Sequence, residues 1–159
     1  MKQAGLLGKG AVALGILVLL AALFLLPLLP VLVAEGSKGR WVKVCLPGQS
    51  LWVEYVHSVE RTAVRDRLVV SWDGGFILRE SRYFSYGAGL PTEGKLGEGE
   101  LVIEGRATPL QELVFRIFDS SSYVLYVGQS RVELARLAGE GGRVTLRVLR
   151  PWQLLRFGS

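Results

Sequence analysis

Residues 51–66 read Leu51-Trp52-Val53-Glu54-Tyr55-Val56-His57-Ser58-Val59-Glu60-Arg61-Thr62-Ala63-Val64-Arg65-Asp66. The run begins as an alternating strand, breaks at a polar turn and resumes as a second strand. Successive strand side chains point to opposite faces. Leu51, Val53, Tyr55 and His57 therefore share one face, and Trp52, Glu54, Val56 and Ser58 the other. On the return, Val64, Asp66, Leu68 and Val70 share a face, with Arg65 and Arg67 opposite. Their apolar company puts His57 and Asp66 on the face expected to look inward. A turn centred on Glu60 and Arg61 pairs His57 with Val64 and Tyr55 with Asp66. His57 and Asp66 are then diagonal neighbours at roughly 7–8 Å. A buried carboxylate must find a partner or become neutral, and the imidazole and the Tyr55 hydroxyl are the nearest candidates. Three readings stand open: a polar pair that fixes strand register, a ligand-contacting site, or a catalytic or metal role. His57 and Ser58 do not form a nucleophile–base pair, because strand neighbours point apart.

The same pattern continues through the chain. Strands are expected at 41–46, 51–57, 63–72, 76–84, 100–106, 112–118, 123–128, 131–137 and 143–150. Pro47-Gly48-Gln49-Ser50, Asp73-Gly74-Gly75 and Gly139-Glu140-Gly141-Gly142 supply turn chemistry between them. Asp73-Gly74-Gly75 between two apolar runs is a hairpin signal. Many short strands without a soluble helix predict an all-β domain, a small antiparallel sandwich or barrel. The 110–118 segment follows Pro109 and is open to a helical turn instead. Trp41, Trp52, Trp72 and Trp152 read as core or sheet-face packing, and the tail 151–157 as an edge strand or a partner-binding tail.

Ahead of the β-domain lies a different composition. Gly10–Ala34 holds 25 consecutive uncharged residues. Roughly 20 apolar residues span a bilayer core, and secretory signal h-regions run about 7–15. One N-terminal transmembrane helix is therefore expected, as an uncleaved signal anchor over 1–35. A hinge at 36–40 and a β-domain over 41–159 follow it. Pro27 and Pro30 disturb its last turns, and cleavage after Gly36 is the alternative. Lys2 and Lys9 precede the run, and Lys38, Arg40 and Lys43 follow it, so charge counts do not fix orientation. The short basic N-terminus is the usual export layout. It predicts a single-pass cell-membrane protein with an extracytoplasmic domain.

Net charge is +5. Arginines are scattered over strands rather than clustered with aromatics, which argues against nucleic acid. Cys45 is the single cysteine, so no intrachain disulfide exists, and its apolar surroundings read as packing. A lone histidine with Asp66 and Glu80 lacks metal-ligand spacing; no metal or cofactor is expected.

A second motif runs Tyr83-Phe84-Ser85-Tyr86-Gly87-Ala88-Gly89-Leu90-Pro91. Its glycines allow close backbone approach, and exposed amides there would cradle a carboxylate or phosphate. The plainer reading is a tight corner between strands. Strand alternation puts Glu80 with Phe76, Leu78 and Phe84, as a second inward acid.

The Tyr55-Val56-His57-Ser58-Val59-Glu60 run followed by Thr62, Val64 and Asp66, together with Phe84–Pro91, resembles a small bacterial domain family of unknown function. That family is commonly encoded beside TRAP-type transporters of the TAXI class, whose binding proteins capture organic anions. The resemblance spans about residues 40–150, with Asp66 where a longer glutamate is expected. It implies an exported accessory that binds the transporter's membrane subunit, its solute-binding protein or a small organic anion. The candidate ligand-binding residues are His57, Ser58, Glu60, Asp66, Ser85, Gly87 and Gly89. No catalytic residue is assigned, because no nucleophile stands in a recognised setting. The alternatives are a small hydrolase using His57 and Asp66, and a purely structural membrane-tethered scaffold.

Overall fold

Apolar alternation decides which face of each strand turns inward, and two glycine-rich turns decide where the strands reverse. The fold is seen in a computed structural model, which describes residues 4–25, 28–57, 61–84, 95–96, 100–105, 108–118, 122–139 and 141–154. Helix α1 (Ala4–Leu25) comes first. Strands β1 (Val31–Gly36), β2 (Gly39–Val44), β3 (Ser50–Val56), β4 (Ala63–Val70), β5 (Phe76–Tyr83), β6 (Lys95–Leu96) and β7 (Leu101–Glu104) follow. Then come β8 (Glu112–Arg116), β9 (Val124–Val127), β10 (Ser130–Glu133), the short helix α2 (Ala135–Ala138), β11 (Arg143–Leu149) and α3 (Pro151–Leu154).

The chain divides into two compact units, Pro30–Leu149 and a second one formed by Met1–Leu29 with Arg150–Ser159. The first holds every strand, in two antiparallel sheets. One has the order β2-β1-β11-β8 and the other β10-β9-β3-β4-β5-β7-β6. Their inner faces share one apolar core. Leu32, Ala34, Val144 and Leu146 come from the smaller sheet, and Leu51, Val53, Leu125 and Val127 from the larger. The expected β-sandwich is what forms. Lys43 clamps the layers at one edge: its Nζ donates to the Val127 carbonyl at 2.8 Å and to Ser130 Oγ at 2.7 Å. Cys45 is buried in the core as expected.

Several boundaries move. Residues 31–34, read as the end of the apolar segment, form β1, a central strand with all four side chains buried. Residues 36–40, read as a hinge, are the β1–β2 hairpin, paired from Gly36–Gly39 outward. The pattern hid this because a fully buried strand is a continuous apolar run, like a membrane helix. Residues 135–137, expected as the end of the 131–137 strand, fall instead in the helical turn α2. The tail from Pro151 to Leu154 is helical rather than an edge strand. Residues 112–116, open to either reading, are strand.

The second unit holds α1 and α3. Within it the Arg150 guanidinium donates to the Leu28 carbonyl. Among the described residues no helix is long and apolar enough to cross a membrane.

Candidate functional site

The β3–β4 hairpin turns one residue earlier than its sequence suggests. The Arg61 N–H donates to the His57 carbonyl at 2.8 Å, an i→i+4 turn, and the His57 N–H donates to the Thr62 carbonyl at 2.8 Å. Arg61 closes it in the left-handed region, at φ 52°. Moving the turn by one residue moves the register by two. Tyr55 pairs with Val64 and Val53 with Asp66, correcting the expected His57–Val64 and Tyr55–Asp66 pairs. The faces survive, because the shift is even. The diagonal neighbour of Asp66 is then Tyr55, and His57 lies one pair further along, opposite Thr62. The Thr62 hydroxyl is buried without a hydrogen-bond partner among the described residues.

A second irregularity builds the site. Arg67 pairs with Glu80 but Leu68 pairs with Leu78, so Arg79 is an extra residue, a β-bulge in β5. Beyond the bulge the alternation flips. Ser81 and Tyr83 turn inward, and Glu80 turns out to an ion pair with Arg82 at 2.8 Å. The expectation that Glu80 and Phe84 face inward is thereby corrected. Bulges commonly re-aim side chains beside functional sites.

The result is a polar island on an apolar face. Asp66 stands between Val53 and Ser81 across the sheet. Ser81 Oγ donates to Asp66 Oδ1 at 2.6 Å, and the Tyr55 hydroxyl donates to the same carboxylate. The Ser81 hydroxyl also lies within hydrogen-bonding reach of the Tyr83 phenol. Tyr123 stacks on Tyr55 with ring centroids 5.2 Å apart, and Phe115 tilts against Tyr123 at 5.3 Å. Burial raises the Asp66 pKa above the ordinary carboxylate value, and the two hydroxyl donors only partly offset it. Burial, with the nearby Asp66 charge, also raises Tyr55, Tyr83 and Tyr123. All three phenols therefore remain donors.

Beside this network lies a cavity of about 440 Å³, walled by Leu78, Ser81, Tyr83, Ile103, Gly105 and Leu110, with Glu104 and Thr108 also on its lining. Its floor is held by the Phe76–Leu110 pair, bonded both ways at 2.7 and 2.6 Å. Gly105 allows the closest approach: a Cβ there would fall 2.1 Å from the Leu78 carbonyl oxygen. Two carboxylates, Asp66 behind Ser81 and Glu104, flank the cavity. Ser81, Tyr83, Thr108 and Glu104 give its described lining hydroxyl groups and a carboxylate, donors and acceptors that suit a cationic or hydroxyl-rich group.

The opposite face of the same sheet is different. Trp52 carries Arg67 and Arg82 at 5.8 and 5.5 Å from its ring centroid. Arg65 there pairs with Glu54 at 2.7 Å. These are ladder contacts of a solvated sheet face.

The DUF1850 family model, a domain of unknown function, matches residues 51–134. The chain belongs to the DUF1850 family. The match in this DUF1850 chain runs from β3 to the end of β10, and so takes in Asp66, Tyr55, Ser81, Tyr83 and Tyr123. No curated protein and no solved structure matches the chain.

Of the residues singled out in the sequence, Asp66 lies at the centre of the network and His57 near its edge. Ser58, Glu60, Ser85, Gly87 and Gly89 lie outside the described residues. Sequence reasoning missed Ser81, Tyr83 and Tyr123. Their signal was only the run of tyrosines at strand ends; the bulge at Arg79 has no sequence mark. Among the described residues no group of three or more His, Cys, Asp or Glu side chains converges as metal ligands would.

Proposed function

We propose that this chain is a membrane-anchored, extracytoplasmic accessory of a TRAP-type (TAXI) solute transporter. It binds a transporter component, the membrane subunit or the solute-binding protein, through the cavity beside Asp66. A basic side chain of the partner enters between Tyr83 and Ile103 and meets the Asp66–Ser81 network. One observation carries this reading: a carboxylate kept out of water and held by hydroxyls, one of which, Ser81, lines an open cavity. Desolvation makes that charge unfavourable for the isolated fold, and groups of this kind cluster at functional sites.

The lining favours a cationic partner group over a free organic anion. The anion reading rests on the Gly87–Gly89 loop, outside the described residues. Support for the anchor comes from the uncharged run from Gly10 to Pro30, which ends where β1 begins. Cleavage after Gly36 would remove β1 and with it the wholly buried Leu32 and Ala34. The apolar segment therefore stays joined to the sandwich.

The test is recovery of the tagged full chain from native membranes under conditions that preserve complexes. A TRAP membrane subunit or solute-binding protein should come with it. Recovery without any transporter component contradicts the proposal.

A further inference from the structure

Four exposed apolar side chains gather at one end of the β-unit. The Cys45 N–H donates to the Pro30 carbonyl at 2.9 Å, and Val31 pairs with both Val44 and Leu149. The two points where the sandwich joins the rest of the chain, at Pro30 and Leu149, therefore sit on neighbouring strands at the same end. The loop after β2 lies there too: the Gly48 N–H donates to the Val70 carbonyl at 2.9 Å. The β4–β5 turn follows, with a Cβ on Gly74 reaching within 3.8 Å of the Val148 carbonyl. Gly75 abuts the Leu110 carbonyl at the same turn.

This end carries Val44, Leu46, Trp72 and Leu110, which are 55%, 59%, 75% and 37% exposed. Trp72, read in the sequence as core or sheet-face packing, is the most exposed large apolar side chain among the described residues of the sandwich. The segments leaving this end are the apolar run before Pro30 and the tail with Trp152, itself 49% exposed. An exposed tryptophan with aliphatic neighbours suits the headgroup layer, where amphipathic rings concentrate.

We propose that this end of the sandwich beds in a lipid surface, with Trp72 and Leu46 as interface anchors. The inference rests on the anchored reading above and adds a second contact with the bilayer. The occupant is lipid because the chain's longest uncharged stretch joins the sandwich here.

The test uses the full chain reconstituted into phosphatidylcholine vesicles with and without bromine-labelled acyl chains. Flotation first reports whether the chain is membrane-bound. Tryptophan emission then reports depth, compared among wild type, Trp72→Phe and Trp52→Phe. Trp52 instead packs under the Arg67 and Arg82 guanidiniums on the outer sheet face. The expected result is flotation, with lipid quenching reduced in Trp72→Phe and its absolute amount preserved in Trp52→Phe. Flotation with equal quenching in wild type and Trp72→Phe overturns the proposal and leaves the anchor standing. Failure to float overturns both.

Discussion

Ser81 donates its hydroxyl proton to Asp66 because a single extra residue, Arg79, flips the alternation of β5. Without that bulge Glu80 would face Asp66, setting two carboxylates together on an apolar face. The bulge thus exchanges a repulsive pair for a donor–acceptor pair.

Ser81→Ala removes one of the two hydroxyl donors to a desolvated charge. The expected loss is about 1.5–3 kcal/mol at neutral pH, read by urea unfolding of the full chain in detergent. The loss shrinks in acid, where Asp66 is protonated. An unchanged midpoint at neutral pH would show that the hydrogen bond does not support the fold.

Asp66 supplies a pH dependence of defined sign. Burial raises its folded pKa above its unfolded value. The folded state therefore holds the proton more tightly, and stability falls as pH rises through the raised value. The favourable contribution is fully present below the ordinary carboxylate range. Asp66→Asn removes the titration, so its stability relative to wild type should rise from about pH 3 toward neutrality. A constant difference across that range would contradict the assigned environment.

Gly105→Ala tests the cavity wall. Its Cβ would lie 2.1 Å from the Leu78 carbonyl oxygen, so backbone must move. Overpacking of this kind costs about 1–3 kcal/mol, visible as a lowered thermal midpoint. Full stability would mean that the β7 end is looser than the contacts imply.

The role of β1 separates two truncations. Removal of residues 1–29 leaves the sandwich unit whole, and it should retain cooperative unfolding. Removal of residues 1–36 deletes the strand between β2 and β11 and should abolish cooperativity. Equal behaviour by circular dichroism would argue against β1 as a core strand.

Much of the sandwich was legible because its strands alternate cleanly and its turns carry glycine. Asp66 was legible too, as an acid among Val64, Leu68 and Val70. Three things were not. The register at His57 depended on Arg61 adopting positive φ, which an arginine does not advertise. Ser81 and Tyr83 depended on the bulge, which breaks the period-two rule locally. β1 was hidden inside an uncharged run, because a strand buried on both faces lacks polar alternation.

The proposed docking brings a partner's cation to the Asp66–Ser81 network through the cavity that Ser81 lines. The direct measurement is the affinity of the full chain for the transporter component it recovers, for wild type and for Asp66→Asn with its fold verified. Losing a buried charge pair costs on the order of 2–5 kcal/mol, so at least a tenfold weakening is predicted. Equal affinity of the two proteins would contradict it.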